Sequence, residues 1–113
     1  MSRPRVTLTM IVRDEEHNLP ACLGPVRGVF DDTVVVDTGS ADRTREVAAG
    51  LGARVFDLPW PDSFAAARNA ALDRAAGGGW AARLDADERL DPAAVGALAA
   101  ALAALPAGPA GLT

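Results

Sequence analysis

The stretch Thr33-Val34-Val35-Val36-Asp37-Thr38-Gly39-Ser40 decides the fold of this chain. Its β-branched run predicts a strand buried on both faces, since branched side chains suit a pleated surface and a strand covered on two sides does not alternate. Asp37 ends the run and Thr38-Gly39-Ser40 makes a turn. Ser40 is placed to cap a helix, with Asp42 in its first turn, favoured by the positive helix end. That helix reads to Leu51, and Gly52 supplies a left-handed stop.

Before this unit, Arg5–Val12 alternates Val6, Leu8, Met10 and Val12 against Thr7, Thr9 and Ile11, which predicts another strand. Asn18–Leu23 opens a helix whose stripe is Leu19, Cys22, Leu23 and Val26. After the unit, Ala53–Leu58 reads as a strand stopped by Pro59-Trp60-Pro61. Asp62 or Ser63 then caps a helix to about Ala75, closed by Gly77-Gly78-Gly79. Trp80–Leu84 is a fourth strand and runs into Asp85-Ala86-Asp87. Asp91 caps a last helix with Pro92 at its first position, carrying Val95, Leu98, Leu102 and Leu105 on one stripe until Pro106 and Pro109. Strand and helix alternate four times. The expectation is an α/β fold, a mainly parallel sheet with flanking helices in a Rossmann-like arrangement, over residues 1–105, followed by a Pro/Gly/Ala tail at 106–113. Ligands of such sheets bind beyond the C-terminal strand ends, where Asp37 and Asp85 both fall.

The composition limits the function classes. The chain has 113 residues, 23% of them charged, and a net charge of -4, which argues against general nucleic-acid binding. Cys22 is the single cysteine, so an internal disulfide or a cysteine-based zinc site is excluded and a reducing, cytoplasmic setting is expected. The apolar run after Arg3 and Arg5 gives way at once to Arg13-Asp14-Glu15-Glu16, unlike a signal peptide. The longest apolar stretch, Ala93–Leu105, is shorter than the ~20 residues a membrane span needs. A dinucleotide fingerprint and a Walker-type loop are both missing, and His17, the single histidine, expected to be exposed, makes a Ser/His/Asp set untenable.

Several residues could carry chemistry. Asp85 and Asp87 offer two carboxylates where strand becomes loop, a pattern suited to Mg2+ or Mn2+ completed by substrate phosphates. The same spacing also arises by chance in a chain with 15 acidic residues. Glu88 is either a further ligand or a solvated neighbour. Asp37 either accepts hydrogen bonds from a ribose or base or serves as an Asx-type turn residue. Arg68 interrupts a stripe of Phe64, Ala71 and Leu72, so it is expected to lie on the core-facing side and pair with a phosphate, or with Asp62 or Asp73. Asn69 beside it could orient it. Arg83 shares a strand face with Asp85 and is expected to pair with it, or to touch a phosphate. Trp60, between two prolines, is expected to cover the sheet edge by packing, or else to touch ligand.

LTMIVRDEEHNLPACL, VVVDTGSADRTREVAAGLGARVF, DLPWPDSFAAARNAAL and WAARLDADERL together resemble, in order and spacing, the nucleotide-sugar-binding portion of family 2 glycosyltransferases of the GT-A type. The third stretch looks closest to bacterial members with helical repeats after the transferase domain or with peptide acceptors; lipopolysaccharide-core enzymes share the others. The resemblance implies an inverting, metal-dependent transferase using a nucleoside diphosphate sugar, with UDP-sugar as the usual donor. The acceptor, a saccharide, lipid-linked sugar or peptide, is not implied. It places Ile11, Arg13 and Glu15 at the nucleotide, Asp37 at the base, Arg68 at the base or diphosphate, Asp85 by ribose and metal, and Asp87 as principal metal ligand to Mg2+ or Mn2+. The family's general base lies downstream of the acidic triplet, so the resemblance assigns no catalytic residue in this chain and implies a donor-binding half. The alternatives are a non-catalytic nucleotide-binding module and, more remotely, a partner-interaction domain whose acids are turn and cap residues.

Overall fold

The computed structural model describes residues 5–59, 63–74 and 80–104. Expectations for Trp60, Pro61, Asp62, Gly77–Gly79, Leu105 and the 106–113 tail lie outside these residues. The strands are β1 (Val6–Val12), β2 (Asp32–Asp37), β3 (Arg54–Asp57) and β4 (Trp80–Arg83), and the helices α1 (Leu19–Leu23), α2 (Thr44–Gly50), α3 (Phe64–Arg74) and α4 (Pro92–Ala103). A short 3-10 turn, Gly24–Val26, extends α1. The strands form one sheet in the order β3-β2-β1-β4, and every pairing is parallel.

Alternation along the central strands divides the core into two layers. Leu8, Met10 and Val12 of β1 and Val35 of β2 meet Leu19, Cys22, Leu23, Val26 and Ala48 on one face. Val34 and Val36 meet Ala71 of α3 on the other, with Phe56 and Leu58 at the margin. Thr7 and Thr9 also lie buried on that second face, and the Thr9 hydroxyl donates to the Ala82 carbonyl at 3.0 Å, so its burial leaves no orphan polar group. Val34, Val35 and Val36 are each at most 1% exposed, the doubly covered strand that the β-branched run predicts. Full burial of such a side chain contributes about 1.5–3 kcal/mol.

Two caps follow expectation. Ser63 Oγ accepts from the Ala66 N–H at 3.2 Å, and Asp91 Oδ1 accepts from the Ala94 N–H at 2.7 Å with Pro92 in the first turn. Gly52 has φ of +92°, the left-handed stop expected after α2. Ser40 departs from expectation. Helix α2 starts only at Thr44, and the Ser40 hydroxyl is taken by the first loop instead of by a helix end. Asp42 accordingly precedes the helix, its Oδ1 accepting from the Thr44 N–H at 2.9 Å. Among the described residues no helix is long and apolar enough to cross a membrane.

Candidate functional site

Because all four strands are parallel, their C-terminal ends make one edge. The register sets Val12, Asp37 and Asp57 side by side on it. The last β4 pairing, Thr9 with Arg83, brings Asp85 to the same edge two residues later. Three loops meet there, and the first two are laced together. The Asp14 N–H donates to Ser40 Oγ and the Glu15 N–H to Thr44 Oγ1, both at 2.8 Å, while Asp14 Oδ1 accepts from the Ala41 N–H at 2.7 Å. Asp14 has φ of +53°, a conformation that short polar side chains tolerate better than most.

Among the described residues, Asp37 is the one buried acid. Its side chain is fully buried. Oδ1 accepts from the Gly39 N–H at 2.9 Å and the Ser40 N–H at 2.8 Å, and Arg45 Nη1 approaches it to 3.5 Å. Oδ2 is buried with no partner. Burial alone would raise the Asp37 pKa, but hydrogen bonds from the Ser40 side chain and backbone and the Gly39 N–H, with the charge of Arg45, outweigh it and hold the carboxyl below its ordinary value. Of the two readings of Asp37, the structure shows the Asx-type turn, made by Oδ1, while Oδ2 has no hydrogen-bond partner.

The acidic triplet is built around Ala86, which is buried in the first core layer and anchors the turn. Asp85 and Asp87 on either side are exposed, and neither carboxylate bonds to a described residue. Glu88 is exposed, in keeping with a solvated neighbour, and it also braces the turn. Its Oε1 accepts from the Asp85 N–H at 2.8 Å, and its own N–H donates to the Asp85 carbonyl at 2.9 Å. The Cys22 thiol, pushed up in pKa by burial, donates to that carbonyl at 3.4 Å. Among the described residues no three His, Cys, Asp or Glu side chains gather into a metal cage. Two unpartnered carboxylates on a fixed turn instead suit a hard cation whose remaining ligands are phosphate oxygens and water.

Ile11 lies in β1 one residue before its end, half-buried; Arg13 is exposed just beyond it, 4.0 Å from Asp14, and Glu15 is half-buried in the first loop. Arg68 corrects the expected stripe. The face of α3 turned to the sheet carries Ala67 and Ala71, four residues apart, and Arg68 lies exposed beside it, making no ion pair with a described residue. It is roughly one helical turn from the start of α3, hence from the site edge. Arg83 is also exposed, and the expected pairing with Asp85 is not made. His17 is exposed as expected.

Two arginines at the site escape sequence reasoning. Arg45 on α2 stands between Asp37 and Asp57, 3.5 and 3.6 Å from their Oδ1 atoms. Arg89 grips the acidic turn, Nη1 donating to the Ala86 and Glu88 carbonyls at 3.0 Å and Nη2 to Asn18 Oδ1 at 2.8 Å. Only the adjacency of Arg89 to the triplet could have flagged it; nothing in the spacing of Arg45 marks its partners.

Residues 7–111 match the profile of the family described as glycosyl transferase family 2. The chain is 50% identical over 86 residues to a TPR repeat-containing protein of Synechococcus elongatus, covering 76% of this chain and 21% of that protein. It is 30% identical over 91 residues to an uncharacterized glycosyltransferase of Rickettsia typhi, covering 76% and 29%. The chain therefore spans less than a third of the length of these curated relatives. Among solved structures, TarS 1-349 of S. aureus superposes with a TM-score of 0.69 at 20% identity, covering 85% of this chain and 31% of that one; TarS 1-349 has also been solved in complex with UDP. Glucosyl-3-phosphoglycerate synthase from Mycobacterium tuberculosis, in complex with Mn2+, UDP and glucosyl-3-phosphoglycerate, superposes with a TM-score of 0.57 at 21% identity, covering 76% and 36%.

Proposed function

The chain belongs to glycosyl transferase family 2, and on that premise we propose that it is the donor-binding half of a cytoplasmic, inverting glycosyltransferase that uses a UDP-sugar and Mg2+ or Mn2+. The observation that carries the proposal is Asp37 Oδ2, a buried carboxylate oxygen with no donor, at the edge where ligands of parallel sheets bind. The imide N–H of a uracil is a donor of the right kind. Asp37 ends β2 and Asp85 follows β4, strands that lie about 10 Å apart on either side of β1 at the usual spacing, so a base at Asp37 leaves the diphosphate toward the acidic turn. The structures of TarS with UDP and of the mycobacterial synthase with UDP and Mn2+ support the same ligand class.

In this reading Asp37 holds the base, Ile11, Arg13 and Glu15 border the nucleotide, Arg68 reaches the base or diphosphate, and Asp85 and Asp87 hold the cation. A bound cation would supply electrostatic stabilisation of the leaving diphosphate. The acceptor oxygen or nitrogen bonds to the anomeric carbon as the bond from that carbon to the diphosphate oxygen breaks, and UDP departs. The acceptor proton passes to a base outside this chain. A second reading, donor binding without turnover by the isolated chain, is favoured by Glu88, the acid nearest the triplet, being committed to the Asp85 N–H.

Titration of UDP with and without Mn2+ tests the proposal. Asp37→Asn should weaken binding in both conditions by about 10- to 100-fold, the value of a hydrogen bond to a charged group. Asp87→Ala should abolish only the gain from Mn2+. UDP binding that ignores Mn2+ and both substitutions would overturn the reading.

A further inference from the structure

Resting on the donor-site reading above, we propose that Arg89 is a positioning residue: through Asn18 it holds the turn carrying Asp85 and Asp87 in fixed register with the loop that borders the nucleotide. Its position on the chain hides this role. A guanidinium two residues from Asp87 would ordinarily be expected to neutralise the neighbouring carboxylates. Here its donors go elsewhere, Nη1 to the carbonyls of Ala86 and Glu88 at 3.0 Å and Nη2 to Asn18 Oδ1 at 2.8 Å. The carboxylates of Asp85 and Asp87 are left without a described partner.

Asn18 is itself fixed. Its N–H donates to the Glu15 carbonyl at 3.0 Å and its carbonyl accepts from the Cys22 N–H at 3.1 Å, so it closes the loop containing Arg13 and Glu15 and opens α1. On the other side, the paired bonds between Asp85 and Glu88 define the acidic turn internally, and the Cys22 thiol on the Asp85 carbonyl with the packing of Ala86 beside Leu19 and Cys22 seats it on α1. To that anchoring on α1 the Arg89–Asn18 bond adds a direct tie between the acidic turn and the end of the first loop, 71 residues away in sequence. A forked cation is required, since an ammonium cannot direct rigid donors to two carbonyls and an amide at once. Groups that orient metal ligands typically carry a 10- to 100-fold share of metal affinity when removed.

The test measures UDP affinity of the full chain with and without Mn2+. Arg89→Ala should cut the Mn2+-dependent gain by about 10- to 100-fold while leaving metal-free UDP affinity near wild type. Arg89→Lys should lose most of the gain too, because it keeps the charge and lacks the fork. Asn18→Ala should lose part of the gain, Asn18→Asp should keep it by preserving the acceptor, and the double variant Asn18→Ala/Arg89→Ala should be no worse than Arg89→Ala alone. A full gain in Arg89→Ala or Arg89→Lys overturns the inference alone. So does a parallel loss of metal-free and metal-dependent binding in Asn18→Ala, which would mark a role in folding only. Absence of any Mn2+ gain in the wild type overturns the donor-site reading and this inference with it.

Discussion

Asp37 commits one carboxylate oxygen to the turn that follows it and keeps the other buried and unpartnered. Such an arrangement is tolerable only if the acid stays ionised in a pocket of donors, and the depressed pKa follows from those donors and from Arg45 in spite of burial. The sign of the pH dependence follows. A carboxyl with a lowered folded-state pKa contributes stability that is present above its unfolded value, about 3.9, and is lost as pH falls through the folded value. If UDP binds through Asp37 as proposed, its affinity should show the same acid limb. Arg45→Ala removes one of the lowering influences, so the limb should move to higher pH with little change near neutrality. Calorimetric titration of UDP across the acid range checks this, and a limb that stays put or moves down would refute the role given to Arg45. Neither Arg45 nor Arg89 is legible as a site residue before folding, because each acts on partners that only the parallel register brings within reach.

At the scale of elements, the strands were legible because their signals are local: Val34–Val36 are β-branched without a break, and β1 alternates apolar residues with threonines. Helix faces were less so. The 64–74 segment offers alanines on every side, and an apolar stripe drawn through Phe64, Ala71 and Leu72 put Arg68 inward. Packing against Val34 and Val36 selects the smallest residues for close approach, so Ala67 and Ala71 face the sheet and Arg68 does not. Ser40 is a residue type suited to capping, yet its hydroxyl goes to the tertiary bond from the Asp14 N–H. This assigns opposite outcomes to neighbouring residues. Ala71→Leu overpacks a filled interface and should cost about 1–3 kcal/mol, whereas Arg68→Ala, on the exposed side, should change stability by no more than about 0.5 kcal/mol. Urea denaturation of both variants decides the matter, and a larger loss for Arg68→Ala would restore the inward-facing arginine.

At the scale of the molecule, the acids of the site stand at or just beyond the ends of three different strands, β1, β2 and β4, and the strand edge holds them in common. A ligand that touches Asp37 at one end and the Asp85–Asp87 turn at the other therefore ties together segments that otherwise communicate through a few loop hydrogen bonds. Binding of this kind must appear as stabilisation of the whole fold, because a ligand held only by the native state adds about 2.7 kcal/mol at a free concentration 100 times its dissociation constant. For a chain of 113 residues, that corresponds to a rise in melting temperature of about 10 °C. UDP with Mn2+ should produce this rise, UDP alone a smaller one, and Mn2+ alone almost none, since two carboxylates without the diphosphate leave the cation mostly to water. Asp87→Ala should reduce the combined effect to that of UDP alone, while Asp37→Asn should lower both UDP curves. If the acids were only turn and cap residues, none of these melting curves would depend on the nucleotide, and thermal unfolding monitored by circular dichroism separates the two cases.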